Sequence, residues 1–119
     1  NLVFVFEIDG MRVCHLGDLG HLLNNQQKAE IGKVDVLLCP VGGTYTIDAQ
    51  AALQVCSQIS PHLIIPMHYR TEALAFPLDV VDTFLNKIGG GRRTGTSTVE
   101  ILREDLPNLV RAVYVLDYR

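Results

Sequence analysis

The sequence predicts an α/β fold, and three observations carry that expectation. Short apolar runs of strand length, Val36-Leu37-Leu38 and Leu63-Ile64-Ile65, alternate with longer stretches of helical spacing. Asp9-Gly10 stands between two strand-like segments, as a tight hairpin requires. Polar, loop-like residues collect after three of the strand-like runs, where ligands gather in α/β sheets.

Each element follows from its residues. Residues 2–8 alternate, with Val3 and Val5 on one side and Leu2, Phe4, Phe6 and Ile8 on the other. The return strand is 11–16, closed through a type I′ turn because Asp and Gly tolerate positive φ. A glycine-punctuated loop, Gly17-Asp18-Leu19-Gly20-His21, leads to a short helix over about 22–31. The run 35–39 reads as a buried strand ended by Pro40-Val41-Gly42-Gly43. A helix over 46–59 is capped by Thr46 or Asp48, with Ala52, Val55, Cys56 and Ile59 on its inner face. Residues 62–67 form the next buried strand, and His68-Tyr69-Arg70-Thr71 the loop beyond it. Pro77 to Ile88 reads as an amphipathic helix, 89–97 as a flexible connector, and 99–102 and 110–116 as terminal strands.

Composition narrows the function. The 119 residues are 48% hydrophobic and 19% charged, with a net charge of −3, which suits one globular domain. The ten Lys and Arg are scattered apart from Arg92-Arg93, so no nucleic-acid partner is expected. No membrane association is expected either, because every long uncharged stretch is broken by Pro, Gly, Asn or Gln. Three widely spaced cysteines, Cys14, Cys39 and Cys56, sit in apolar contexts and form no disulfide framework. They read as buried thiols in a protein of the reducing cytoplasm.

The residues able to do chemistry sit at strand ends. Asp18, flanked by glycine-containing turn residues, either caps backbone N–H groups or offers a hard oxygen ligand to a metal. His68 directly follows a strand and either is satisfied within its loop or presents imidazole, the commonest nitrogen ligand for zinc. His21 shares the Asp18 loop and is a candidate to face the same cavity. His15 reads as structural. His62 begins the strand that ends at His68, about 20 Å away at strand rise, and is excluded from the site. Gly42-Gly43-Thr44-Tyr45 precedes a helix, as an anion cradle does. The Walker and dinucleotide-binding glycine spacings are absent, which disfavours nucleotide binding. Asp18 and His68 alone are fewer donors than zinc takes.

In combination, three ordered blocks resemble the metallo-β-lactamase superfamily: His15-Leu16-Gly17-Asp18-Leu19-Gly20-His21, Asp35-Val36-Leu37-Leu38-Cys39-Pro40-Val41-Gly42-Gly43 and Ile65-Pro66-Met67-His68-Tyr69-Arg70-Thr71. The nearest branch is the metal-dependent hydrolases similar to ascorbate-6-phosphate lactonase. The resemblance implies the C-terminal half of an αββα sandwich, a mixed sheet with flanking helices and a metal site at one edge. It implies that Asp18 is the carboxylate bridging two metals and His68 the last histidine ligand. Gly42, Gly43 and Thr44 would line the loop beside the site, with Tyr69 and Arg70 at its rim, as substrate-binding residues. The implied cofactor is a divalent metal, zinc first, with manganese or iron as alternatives.

The family's H-x-H-x-D-H motif is absent here, as is a further histidine ligand. The chain also starts at Asn1, without Met and within a strand-like run. Two expectations of different class follow. The first is that residues 1–119 are the C-terminal portion of a hydrolase using a metal-activated hydroxide on an ester, lactone or phosphodiester, silent without the N-terminal half. The second is a non-catalytic half-fold serving as a binding or assembly module. In both, an apolar sheet face requires the missing half or a second copy to cover it.

Overall fold

The computed structural model describes residues 2–44, 46–71 and 79–117. Tyr45 and the expected helix start at Pro77 lie outside the described residues, as does Asn1. Asp9 and Gly10 both take positive φ, +53° and +77°. Their turn folds β1 (Phe4–Ile8) antiparallel onto β2 (Met11–His15), with Ile8 opposite Met11 and Phe4 opposite His15. The expected hairpin is therefore present, by the expected mechanism.

From β2 onward the pairing is parallel. Strands β3 (Val36–Pro40), β4 (Leu63–Met67) and β6 (Ala112–Val115) add successively, and β5 (Arg92–Arg93) pairs on the outer side of β6. The six-stranded mixed sheet has the order β1-β2-β3-β4-β6-β5. Helices α1 (Asn25–Ile31), α2 (Ala49–Ile59) and α3 (Val81–Ile88) occupy the connections. These helices pack together against one face of the sheet. Their buried residues Ile31, Ala52, Val55, Phe84 and Leu85 share one core with Cys14, Leu37, Cys39, Ile64 and Val113 of the sheet.

Local chemistry sets the helix ends. Helix α1 starts later than expected because Asn24 and Gln27 form a reciprocal capping box. The carbonyl of its last residue, Ile31, accepts from Arg12 Nη2 at 2.8 Å and Arg12 Nε at 3.2 Å. Of the two residues expected to cap α2, Asp48 does so, accepting from Ala51 N at 2.9 Å. Helix α3 begins at Val81.

The expectations for the last third need correcting in two places. Residues 89–97 are not merely a connector, because Arg92 and Arg93 pair with Tyr114 and Val115 of β6. Residues 99–102 form no strand, and a 3-10 helix follows over Arg103–Asn108. Strand β6 already has β4 on one side and β5 on the other, so Val99-Glu100-Ile101-Leu102 finds no free edge there. Instead Leu106 packs with Met11, Val36 and Leu63 on the face opposite the helices.

That second face has little cover. Phe4, Phe6 and Ile8 are 55%, 42% and 49% exposed, and Val13, Ile65 and Tyr114 are only partly buried. The three cysteines are free and fully buried. Burial pushes the Cys14 thiol up to about 11, against the opposing charge of Arg12. Cys39 is held well above its usual range by its hydrogen bond with Cys56 and by burial. Among the described residues no helix is long and apolar enough to cross a membrane.

Candidate metal centre

Parallel alignment brings the C-terminal ends of β2, β3 and β4 to one edge, and the three following loops are bonded to one another there. In the first loop Leu16 and Leu19 are buried in the core, Leu16 N donates to Leu38 O, and Leu19 N donates to Leu16 O. With both leucines anchored, Asp18 between them is left exposed at the rim. Ile47 N of the second loop donates to Leu19 O at 2.8 Å. Asp79 N, beyond the third, donates to Gly42 O at 2.9 Å, and Arg70 N to Asp79 O at 2.8 Å.

Glycine is required where the second and third loops cross. A Cβ on Gly42 would lie 1.9 Å from the carbonyl oxygen of His68 and 3.2 Å from Tyr69 Cα. Gly43 has φ of +73°, and Thr44 follows with φ of +61°. His68 itself is left-handed, with φ of +56°. For a histidine this costs on the order of 1 kcal/mol, and such strain persists only where surrounding structure imposes it.

The consequence is one short approach. His68 Nε2 lies 3.3 Å from Asp18 Oδ1, although the two residues are fifty positions apart. Their side chains are 44% and 74% exposed. When His68 is protonated the pair is an ion pair, which at such exposure contributes little to stability. The donor set also fits part of a metal site: two ligands bonded at 2.0–2.2 Å to one tetrahedral ion stand about 3.3–3.5 Å apart. Among the described residues no group of three or more His, Cys, Asp or Glu is placed to hold a metal.

The other candidates are dispersed around this pair. His21 is exposed, with Nδ1 2.8 Å from Leu22 O of its own loop. Tyr69 is half-buried and donates its hydroxyl to Leu116 O at 3.3 Å. Burial raises its phenol, a nearby Arg93 opposes this and Asp117 reinforces it, so Tyr69 acts as a donor. Arg70 is exposed and lines a cavity of about 450 Å³ with Asp82 and Arg93, which pair with each other. His15 Nδ1 accepts from Gly17 N at 3.0 Å, a structural role as expected. His62 sits at the opposite end of β4, its Nδ1 2.8 Å from Leu109 O.

One residue at this edge went unnoticed in the sequence. Asp117 lines a cavity of about 370 Å³ together with Pro66, Met67, His68, Tyr69 and Leu116. Nothing local marks an aspartate two residues past a strand as a site residue. The signal is topological, since β6 runs parallel beside β4 and so delivers its following residues to the same edge.

Comparison with known proteins gives a consistent result. Residues 1–68 match the sequence profile of a beta-lactamase superfamily domain. A metal-dependent hydrolase of Carboxydothermus hydrogenoformans is 40% identical over 68 residues, 57% of this chain and 30% of that protein. One from Archaeoglobus fulgidus is 39% identical over 75 residues, 63% of this chain and 31% of that protein. The matched stretch thus covers about a third of the length of these relatives. A solved structure from Thermotoga maritima, described as a candidate Zn-dependent hydrolase of the metallo-β-lactamase superfamily, superposes with a TM-score of 0.84 at 47% identity. That match covers 98% of this chain and 59% of the Thermotoga chain. A metallo hydrolase of Ignicoccus hospitalis superposes with a TM-score of 0.61 at 25% identity, over 95% of this chain and 41% of that one.

Proposed function

The chain belongs to the beta-lactamase superfamily, and from that premise we propose that residues 1–119 form the C-terminal portion of a metal-dependent hydrolase domain, with Asp18 and His68 as metal ligands. The observation that carries this reading is the 3.3 Å approach of His68 Nε2 to Asp18 Oδ1 at the common edge of three parallel strands. Oxygen plus imidazole nitrogen suits zinc first, and manganese or iron as well. A divalent metal bound there supplies Lewis-acid polarisation and acidifies bound water, the chemistry of ester, lactone or phosphodiester hydrolysis. The chain's own residues provide the frame. Gly42 lets the β3 loop cross against the His68 backbone, the left-handed His68 aims its imidazole at Asp18, and Tyr69 and Arg70 continue the rim.

Two donors are fewer than a closed site takes, so the remaining ligands come from outside these residues and the chain alone is silent or nearly so. The stripe Phe4, Phe6 and Ile8 supports a covering layer over the face opposite α1, α2 and α3, supplied by the rest of the domain or by a second copy. The same stripe is what favours the second reading, a half-fold that acts through assembly rather than catalysis. Three buried free thiols fit a protein of the cytoplasm.

Metal analysis tests the reading. After equilibration with zinc and gel filtration, the chain is expected to retain substoichiometric metal, and Asp18→Ala or His68→Ala to lose it while keeping the parent circular dichroism spectrum. Retention unchanged in both variants overturns it, and so does stoichiometric zinc with turnover by the monomer.

A further inference from the structure

We infer that His15 is a positioning residue for Asp18: as the neutral tautomer with its hydrogen on Nε2, it holds the turn that carries the carboxylate at the metal edge. The inference rests on the hydrolase reading above and adds to that site a residue that is not itself a ligand. Residues 16–19 form a tight turn, Leu19 N donating to Leu16 O at 3.2 Å, with Gly17 and Asp18 at its two central positions. Gly17 has φ of +60°, the left-handed value that glycine permits. Glycine resists other conformations no more than this one, so a turn built on it needs a hold from outside. The imidazole supplies one. Gly17 N donates to His15 Nδ1 at 3.0 Å, closing the ring that an asparagine Oδ1 closes in an Asx turn.

The donor fixes the tautomer. An amide N–H only donates, so Nδ1 is the bare nitrogen and the neutral ring carries its hydrogen on Nε2. Packing does not call for a histidine here. Alternation along β2 puts His15 on the face of Met11 and Val13, away from the helices. Its neighbours in register are Phe4 on β1 and Leu38 on β3. An apolar side chain suits that row at least as well, and what it lacks is the acceptor. The His15 ring is half-buried on a strand paired on both sides, whereas the Asp18 side chain is 74% exposed on a loop. A ligand so exposed takes its geometry from its backbone, and the group that fixes such a ligand is worth about tenfold or more in metal affinity.

The test is a zinc titration of the parent chain, His15→Asn and His15→Leu, followed through the amide resonances of Asp18 and His68. Asparagine keeps an acceptor at the same reach and loses the ring, while leucine keeps apolar bulk and loses the acceptor. His15→Leu is expected to weaken zinc binding about tenfold, and His15→Asn to stay within about threefold of the parent. A role in packing alone predicts the reverse order. In the metal-free parent at pH 8, ring nitrogen spectra should show the hydrogen on Nε2 and a coupling from the Gly17 N–H to Nδ1, a readout that needs no variant to fold. The inference is overturned if the ring carries its hydrogen on Nδ1, if His15→Leu binds zinc as the parent does, or if His15→Asn is the weaker of the two. Asp18→Ala and His68→Ala separate the two layers. Zinc that needs both residues and ignores His15 counts against His15 alone, whereas zinc indifferent to both overturns the metal site and the inference with it.

Discussion

Gly42 is where the strand-end loops are most tightly interlocked, and replacing it with alanine probes the site without touching a candidate ligand. The added Cβ would lie 1.9 Å from His68 O, 3.0 Å from His68 C and 3.2 Å from Tyr69 Cα. All three are backbone atoms, so no rotamer change relieves the clash. Gly42 has no positive φ, which makes the penalty steric rather than conformational. Relief requires the β3 loop and the His68 segment to part by about 1 Å, a displacement of the kind that costs roughly 1–3 kcal/mol in a packed site. That movement pulls on Val41 N–Met67 O, 3.0 Å, and Asp79 N–Gly42 O, 2.9 Å, two bonds that tie these loops together. It also opens the 3.3 Å approach of His68 to Asp18. Gly20→Ala is the control, since nothing lies within 4 Å of its Cβ and its backbone is ordinary. Urea unfolding should give a midpoint lowered by the equivalent of about 2 kcal/mol for Gly42→Ala at constant slope, with Gly20→Ala within about 0.5 kcal/mol of the parent. Zinc retention should fall in the first and hold in the second. Equal midpoints and equal retention would refute the claim that loop crossing at Gly42 positions His68.

Three further outcomes follow from particular contacts. Phe84→Ala removes a fully buried ring from the helical core and should cost about 3–5 kcal/mol in the same unfolding assay. Asp48→Ala deletes the cap bond to Ala51 N and should cost about 1 kcal/mol, while Asp48→Asn recovers most of it. The thiols should be inert to alkylation in the native protein at pH 8 and label three per chain in denaturant. Because Cys14 is raised from 9.0 in the unfolded chain to about 11, its contribution to stability is full below pH 9 and is lost as pH rises towards 11. Cys14→Ala should flatten that alkaline decline in a pH series of urea midpoints.

Much of this architecture is legible in the residues, and the exceptions share a cause. Asp9-Gly10 encodes its turn in its own dihedral preferences, and the Val36 and Leu63 runs encode burial on both sheet faces. Asp48 marks the start of α2 by capping chemistry. What cannot be read locally is anything defined by a neighbour distant in sequence. Arg92-Arg93 is a strand only because Tyr114-Val115 lies beside it, and 99–102 is not one because that edge is taken. Alternation in residues 2–8 separates Val3 and Val5 from Phe4, Phe6 and Ile8, yet which side is buried depends on α1 packing over the valines. In the candidate site, Asp18 and His68 stand out in the sequence as ligand types at strand ends. Their mutual distance depends on sheet order, and Asp117 joins the edge only through the parallel pairing of β4 and β6.

The central claim is that Asp18 and His68 hold a metal at this edge. Anomalous diffraction at the zinc edge from crystals of the protein equilibrated with zinc tests it most directly. The account predicts a peak between Asp18 Oδ1 and His68 Nε2, within about 2.0–2.2 Å of each. Zinc bound at other residues, with no peak between these two atoms, would contradict it.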